Sequence, residues 1–337
     1  MKSIVLPPLS LLYGAVTRTR LSLYRRGTFV TTKLDRPVIS VGNITTGGTG
    51  KTPLVEWVAK TLAGQGKKPC ILTRGYGRKD PHVQVIVSDG YGVLASPTEA
   101  GDEPYLLATN LSGLAAVISS ADRIAAGQEA INDFGSDRFV LDDGFQHLRL
   151  ARDLNIVTID ATNPWGGGSL LPHGRLRESR EGLSRADCVV ITRCDQVRSL
   201  DALRSEIAKF TGGNRPIFHS YMRTSRVSSL KNGPGTLSSP ARLAAFCAIG
   251  NPAAFFEHLR RAGYELVLQK SFPDHHVFSQ EEIDSLIAAA KKAGANSLIT
   301  TAKDAVKLRT LSFPIPCYVL EIEIAIENGD ELARMLP

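Results

Sequence analysis

No two of the five cysteines, at positions 70, 188, 194, 247 and 317, form a Cys-x-x-Cys pair, and their number is odd. That argues against a disulfide framework or a thiolate zinc site and for buried thiols in a reducing compartment. No apolar run approaches the ~20 residues that a membrane-spanning helix needs. A secretory signal is disfavoured too, because only Lys2 precedes the first apolar stretch and the basic residues follow it. There is no internal repeat. Acidic residues are the scarcer charge, 33 against 40 Lys and Arg, which leaves a net charge of +7 and a pI near 9.2. An excess of this sign suits an anionic partner: nucleic acid, a phosphorylated substrate or anionic lipid. The remainder is ordinary for a folded chain, with 43% apolar and 22% charged residues. Its 337 residues suffice for about two domains.

Residues 1–26 join an apolar stretch (Ile4, Val5, Leu6, Leu9, Leu11, Leu12, Tyr13, Val16) to the basic residues Arg18, Arg20, Arg25 and Arg26. From Pro8 onward, Leu9, Leu12, Val16 and Leu23 fall on one helical face. Such a helix could lie on an anionic membrane surface or dock on its own domain, and one helix does not decide between the two.

Beyond it, short apolar runs recur at 38–41, 70–73, 115–119, 139–141, 156–159, 188–192 and 217–221, with helical patterns at 53–64, 121–134 and 200–211. This alternation predicts an α/β fold, a parallel sheet flanked by helices with its ligands at the carboxyl ends of the strands. Residues 228–240 have the composition of a turn or linker. A second, smaller α/β unit is expected after it, with strands at 243–249, 265–270 and 297–301 and helices at 252–263 and 280–293. The expected division is therefore 1–26, 27–228 and 229–337, with the last strand (317–326) free to return to the first domain.

The clearest motif is Gly47-Gly48-Thr49-Gly50-Lys51-Thr52, directly after the first strand. A strand, a glycine-rich turn and Gly-Lys-Thr at a helix start build a nest of N–H groups for phosphate. Lys51 can reach the β/γ-phosphates and the Thr52 hydroxyl can hold Mg²⁺. The strict pattern has Gly where this chain has Thr45. Thr46 stands where partitioning-type ATPases carry a signature lysine. A second motif, ending the apolar run 139–141, is Asp142-Asp143-Gly144-Phe145-Gln146-His147. Acids at a strand end opposite a phosphate loop are the usual Mg²⁺ ligands, so Asp142 or Asp143 is expected to bind the metal or its water. Gly101-Asp102-Glu103-Pro104 reads as a turn or helix start whose carboxylate could accept a hydroxyl proton. Asp274-His275-His276 follows a strand, and neighbouring histidines diverge, so one is expected to be functional and the other a bystander. Arg74-Gly75-Tyr76-Gly77-Arg78, Arg123 and the 171–178 segment offer arginines to anionic groups. Thr192-Arg193-Cys194-Asp195 is a degraded form of a guanine-reading Thr-Lys-x-Asp motif, with Arg in place of Lys.

Taken together these landmarks resemble the tetraacyldisaccharide 4'-kinase (lipid A 4'-kinase) family of Gram-negative bacteria. The shared residues are Gly42-Asn43 with 47–53, Arg74–Gly77, Gly101–Pro104, Asp142–His147, Leu171-Pro172 through Arg177-Glu178, and Asp274-His275, in order over nearly the whole chain. The resemblance implies phosphorylation, with ATP and Mg²⁺, of the 4'-hydroxyl of an acylated glucosamine disaccharide. It implies two α/β/α domains with the active site in the cleft between them, a peripheral or monotopic enzyme on the cytoplasmic face of the inner membrane, a lipid partner and no nucleic acid, and a monomer is expected. It assigns Gly47, Gly48, Thr49, Gly50, Lys51 and Thr52 to the nucleotide. Thr52, Asp142, Asp143, Gln146 and Glu178 are assigned to the metal. Asn43, Arg74, Tyr76, Glu103, Arg123 and Arg177 go to the lipid substrate. Asp102 becomes the base, assisted by His275. The rival reading from another class is a membrane-attached switch ATPase of the partitioning type; a guanine-nucleotide metallochaperone would need a metal-carrying cluster that the cysteines do not supply.

Overall fold

The computed structural model describes residues 2–231 and 242–337, with side chains from Leu6 onward. Ile4 and Val5 of the expected amphipathic face, and residues 232–240 of the expected linker, thus lie outside the described side chains and residues. The chain divides into two units, one formed by 1–221 and 324–337 and the other by 222–323. The division falls inside one strand, β8 (Ile217–Ser229), at 221/222, upstream of the expected 228.

In the first unit, α1 (Lys2–Arg25) precedes β1 (Val38–Gly42), α2 (Lys51–Gly64), β2 (Pro69–Thr73) and β3 (Val85–Asp89). Then come α3 (Pro97–Ala100), α4 (Asp102–Asn110), β4 (Ala116–Ser119), α5 (Arg123–Phe134), β5 (Arg138–Asp142), β6 (Leu154–Asp160), β7 (Cys188–Thr192) and α6 (Asp201–Thr211). The strand order is β3-β4-β2-β5-β1-β6-β7-β8, parallel from β4 through to β8, with β3 antiparallel at the edge. The edge strand β3 is absent from the sequence expectation.

Burial explains why these runs became strands. Val38, Phe139, Leu141, Cys70 and Leu72 form one apolar cluster with Ala126 and Ala130 of α5. The alternate positions Ile39, Val41, Ile71 and Val140 are equally buried, as parallel strands covered on both sides require. On α2 the stripe Leu54, Val55, Val58, Ala59 and Leu62 is buried. Asp122 caps α5 by accepting from the Ile124 and Ala125 N–H groups, and Gly135 ends it in the left-handed conformation. Four of the five cysteines are buried, and burial pushes the Cys188, Cys247 and Cys317 thiols up to about 12, so they are inert core residues.

α1 docks through its small and polar side. Ser10 Oγ donates to Leu170 O at 3.0 Å and Tyr13 Oη to Arg177 O at 2.9 Å. A Cβ at Gly14 would come within 2.6 Å of Leu170. Leu11, Leu12 and Val16 are 73%, 63% and 58% exposed on the other side. Among the described residues no helix is long and apolar enough to cross a membrane.

The second unit holds β9 (Arg242–Cys247), α7 (Pro252–Arg261), β10 (Glu265–Ser271), α8 (Gln280–Lys292), β11 (Ser297–Thr301), α9 (Ala302–Leu308) and β12 (Cys317–Ile326). Its sheet order is β10-β9-β11-β12-β8, and Arg223 and Arg226 of β8 pair across the strands with Glu323 and Glu321 of β12. β12 leaves this unit at Glu323, and α10 (Gly329–Met335) belongs to the first. Asn251, Ser279 and Thr301 cap α7, α8 and α9.

The first core is the one to perturb. Phe139→Ala removes a ring that is 0% exposed. It is expected to cost about 3–5 kcal/mol, read as a lower urea midpoint for the first unit.

Candidate active site

Every motif of the first unit sits at a carboxyl end of its parallel sheet: the phosphate loop after β1, Arg74 after β2, Arg123 after β4, the Asp142-Asp143 pair at the end of β5, and Asp160 and Thr192 at the ends of β6 and β7. This is the edge at which such sheets bind ligands.

The loop begins extended. Thr45 forms a bridge with Leu176, and Thr46 N–H donates to Arg175 O at 2.7 Å. A β-bridged residue needs no left-handed freedom, which is why Thr serves where the strict pattern has Gly. Gly50 then takes the left-handed conformation (φ +83) and starts α2 without a side-chain cap, leaving the first turn's N–H groups to an anion. Asn43 is fully buried; its Nδ2 donates to Thr49 Oγ1 at 2.9 Å, and that hydroxyl meets Thr158 Oγ1 at 2.8 Å.

Asp142 and Asp143 behave differently although they are adjacent. Asp143 takes a left-handed backbone (φ +52). Its carboxylate lies 3.5 Å from Lys51 Nζ and 2.5 Å from Arg177 Nη1. Burial alone would raise this carboxyl, but Lys51 and Arg177 outweigh it and hold it below its ordinary value. Asp142 is 4% exposed and accepts a hydrogen bond from Thr73 Oγ1 at 3.0 Å. Burial, helped by the charges of Glu103 and Asp143, pushes its carboxyl up to about 6, against the pull of Lys51.

That imbalance is what a divalent cation would correct. Mg²⁺ keeps most of its waters and takes one or two carboxylates plus substrate phosphates. Among the described residues no group of three or more His, Cys, Asp or Glu forms a metal cluster. Asp142 with the Thr52 hydroxyl at the start of α2, and Asp143 beside them, suits that sparse style of ligation. Gln146 and Glu178 are brought together one layer out. Gln146 Nε2 donates to Asn43 O at 2.8 Å and to Glu178 Oε1 at 2.7 Å, and Arg185 pairs with Glu178 at 2.8 Å.

Asp102 and Glu103 open α4, where the helix dipole favours negative charge. The turn before them is built by close packing: Gly101 has φ +91, and a Cβ there would stand 2.8 Å from Tyr76 O. The Arg74–Gly77 and Gly101–Glu103 motifs are therefore neighbours, and Glu103 is near enough to Asp142 to raise it. Arg74 lies over the exposed Tyr76 ring at 5.5 Å. Arg123 is buried instead; it donates to Asp142 O at 3.1 Å and to His147 Nδ1 at 3.2 Å. Burial and then Arg123 depress His147 to about 4, so the ring is neutral.

In the second unit the two histidines separate clearly. His276 pairs with Glu282 at 2.9 Å, stacks on Phe272 and meets Phe278 edge-on, as part of the α8 cap. His275 has a left-handed backbone (φ +61), and its Nε2 lies 3.2 Å from Lys303 Nζ, which also pairs with Asp274 at 3.2 Å. Lys303 was not singled out in the sequence; its only signal is a strand ending in Thr301-Ala302-Lys303-Asp304. The described hydrogen bonds also give Arg193, Asp160 and Arg185 places around the loop and the acids that sequence spacing did not reveal.

The raised Asp142 gives a pH test of this electrostatic picture. Its folded value lies above 3.8, so the folded protein binds the extra proton between about 4 and 6. Stability therefore falls as pH rises through that window. His147, whose folded value lies below 6.5, contributes stability that is lost as pH falls through the same range. Asp142→Asn removes the first effect alone, so its stability relative to wild type, from urea midpoints without nucleotide or Mg²⁺, is expected to increase from pH 4 to pH 7. A constant difference would contradict the buried-carboxyl reading.

Comparisons with known proteins show what the chain is similar to. A curated relative from Geobacter metallireducens, named tetraacyldisaccharide 4'-kinase, is 45% identical over 90% of this chain and 88% of its own. Relatives of the same name from Geobacter sulfurreducens and Desulfotalea psychrophila are 42% and 40% identical, over 93% and 96% of this chain. A crystal structure described as an "apo" form of LpxK from Aquifex aeolicus in complex with ATP matches with a TM-score of 0.76 and 32% identity, covering 97% of this chain and 96% of that one. The family described as tetraacyldisaccharide-1-P 4'-kinase matches residues 2–337, the phosphate loop, both acid motifs and Asp274-His275 included. With a family model matched over nearly the whole chain and relatives this similar, the chain belongs to the tetraacyldisaccharide 4'-kinase family.

Proposed function

We propose that the protein is an ATP-dependent kinase that moves the γ-phosphoryl group of ATP to the 4'-hydroxyl of a tetraacylated glucosamine disaccharide 1-phosphate, a step of lipid A biosynthesis. Family membership supports the reaction. The observation that carries the assignment to residues is the convergence of Lys51, Asp142, Asp143, Arg177 and the Asp102-Glu103 turn on one strand edge. The switch-ATPase alternative is not favoured, since Thr46 uses its backbone N–H within the fold and brings no ammonium.

Gly47, Gly48, Thr49, Gly50, Lys51 and Thr52 bind the triphosphate. Lys51, paired with Asp143 in this structure, turns to the β/γ-phosphates when nucleotide enters. Thr52 and Asp142, with Asp143, Gln146 and Glu178 around them, would hold a Mg²⁺ ion bound with ATP, which would supply neutralisation of phosphate charge. Asp102 accepts the proton of the sugar hydroxyl as that oxygen bonds to phosphorus and ADP departs. Within the second unit Lys303 orients the imidazole of His275, the assisting group that the family resemblance implies. Asn43, Arg74, Tyr76, Glu103, Arg123 and Arg177 belong to the disaccharide side, some directly and the buried Arg123 and Asn43 through the groups they hold. The protein works as a monomer on the cytoplasmic face of the inner membrane, where the apolar outer side of α1 meets lipid and its arginines meet anionic headgroups.

Two experiments test this reading. Incubation with ATP, Mg²⁺ and the disaccharide 1-phosphate is expected to give the bisphosphorylated product; nucleotide hydrolysis stimulated by vesicles without acceptor phosphorylation would sink it. In that assay Asp102→Ala is expected to lower kcat by roughly 10²–10⁴-fold with ATP affinity retained. Leu11→Glu with Leu12→Glu is expected to abolish sedimentation with vesicles containing anionic phospholipid while leaving the melting temperature unchanged, because both side chains are exposed. Undiminished sedimentation would remove α1 from the membrane contact.

A further inference from the structure

The Thr192–Asp195 segment has no part in the chemistry above, and it does not carry the lysine of a guanine-reading motif. Its place in the fold gives it another. Thr192 is fully buried, and its Oγ1 donates to Thr49 O at 2.9 Å. Arg193 takes a left-handed backbone (φ +58) that returns its side chain over the sheet edge. One guanidinium nitrogen pairs with Asp160 Oδ2 at 2.5 Å and the other donates to Gly48 O at 2.9 Å. Asp160 is fixed in turn: it is 4% exposed, and its Oδ1 accepts from the Thr162 N–H and hydroxyl at 3.0 and 2.7 Å.

The carbonyls of the phosphate loop are consequently all engaged from the protein side. Gly47 O accepts from Thr49 N–H, Gly48 O from Arg193, Thr49 O from Thr192, and Gly50 O from Leu54 N–H. An anion nest works because its N–H groups face the ligand, and peptide planes held that way turn their carbonyls inward, where each needs a donor. Two successive loop carbonyls obtain theirs from two successive residues, Thr192 at the end of β7 and Arg193 directly after it. The donor to Gly48 is charged, which makes the bond stronger and shorter than a neutral one, and it is pre-aimed by a carboxylate.

We propose that Arg193, locked by Asp160, is a positioning residue of the nucleotide site: it fixes the Gly48 peptide in its anion-binding orientation and so sets ATP affinity without touching ATP. This rests on the reading of 47–52 as the triphosphate site. In the full-length protein, Arg193→Ala is expected to weaken Mg-ATP binding, measured by titration calorimetry, on the order of ten- to hundredfold. The KM for the disaccharide lipid is expected to stay within about twofold. Arg193→Lys recovers part of the loss, and Asp160→Asn gives a smaller loss in the same direction. Should Arg193→Ala not fold, the latter two variants carry the test. An ATP dissociation constant within about twofold of wild type in the folded variants, or equal losses for both substrates, overturns the proposal and leaves Arg193 a general stabiliser. Absence of ATP binding by the wild type would instead overturn the triphosphate reading itself.

Discussion

Two carboxylates on consecutive residues at the end of a central buried strand repel each other, and the first unit is arranged around that repulsion. Asp143 is offset by Lys51 on one carboxylate oxygen and Arg177 on the other. Arg177 is available there because its segment is bridged to the start of the phosphate loop, through Leu176 with Thr45 and Arg177 N–H with Ile44 O at 2.8 Å. At Asp142 the pull of Lys51 is outweighed by burial and by the charges of Glu103 and Asp143, and Arg123 bonds its carbonyl, not its carboxylate. The unequal treatment of two identical side chains separates their roles. One is a fixed anion that stations the loop lysine, and the other holds its charge at a cost that a bound cation would relieve.

The loop that meets this pair is built from two sides. Its glycine turn and helix start form one side, and the short polar side chains of Asn43 after β1, Thr158 on β6 and Thr192 on β7 form the backing. Thr49 sits between Asn43 and Thr158 through its hydroxyl and under Thr192 through its carbonyl, so one residue couples three strands. This holds the loop through hydrogen bonds among buried polar side chains.

Much of this organisation was legible in the sequence. The parallel strands showed as apolar runs because both of their faces are covered, and the phosphate loop and the Asp142-Asp143 pair followed the ends of two of those runs. Strand β3 escaped because it is an antiparallel edge strand with intermediate burial at Val85 and Ile86. The different surroundings of His275 and His276 were invisible because they depend on Glu282 and Phe272 for His276 and on Lys303 for His275. Arg193 was visible only as a flawed motif, since its role lies in contacts with Gly48 and Asp160 that are distant in sequence. Gln146 and Glu178 show the same limit: the sequence offers their polarity, while their bonds to one another, to Asn43 and to Arg185 arise only in the fold.

The seating of α1 bears on how the protein can be handled. Tyr13 bonds the carbonyl of Arg177, Ser10 that of Leu170, and Arg20 that of Gln146. A truncation meant to improve solubility would strip partners from the backbone that carries Arg177 and Gln146, and would uncover Leu170 where Gly14 now rests. A well-behaved, detergent-free form is better sought by recolouring the outer row Leu9, Leu11, Leu12 and Val16 with polar residues while the inner row stays as it is.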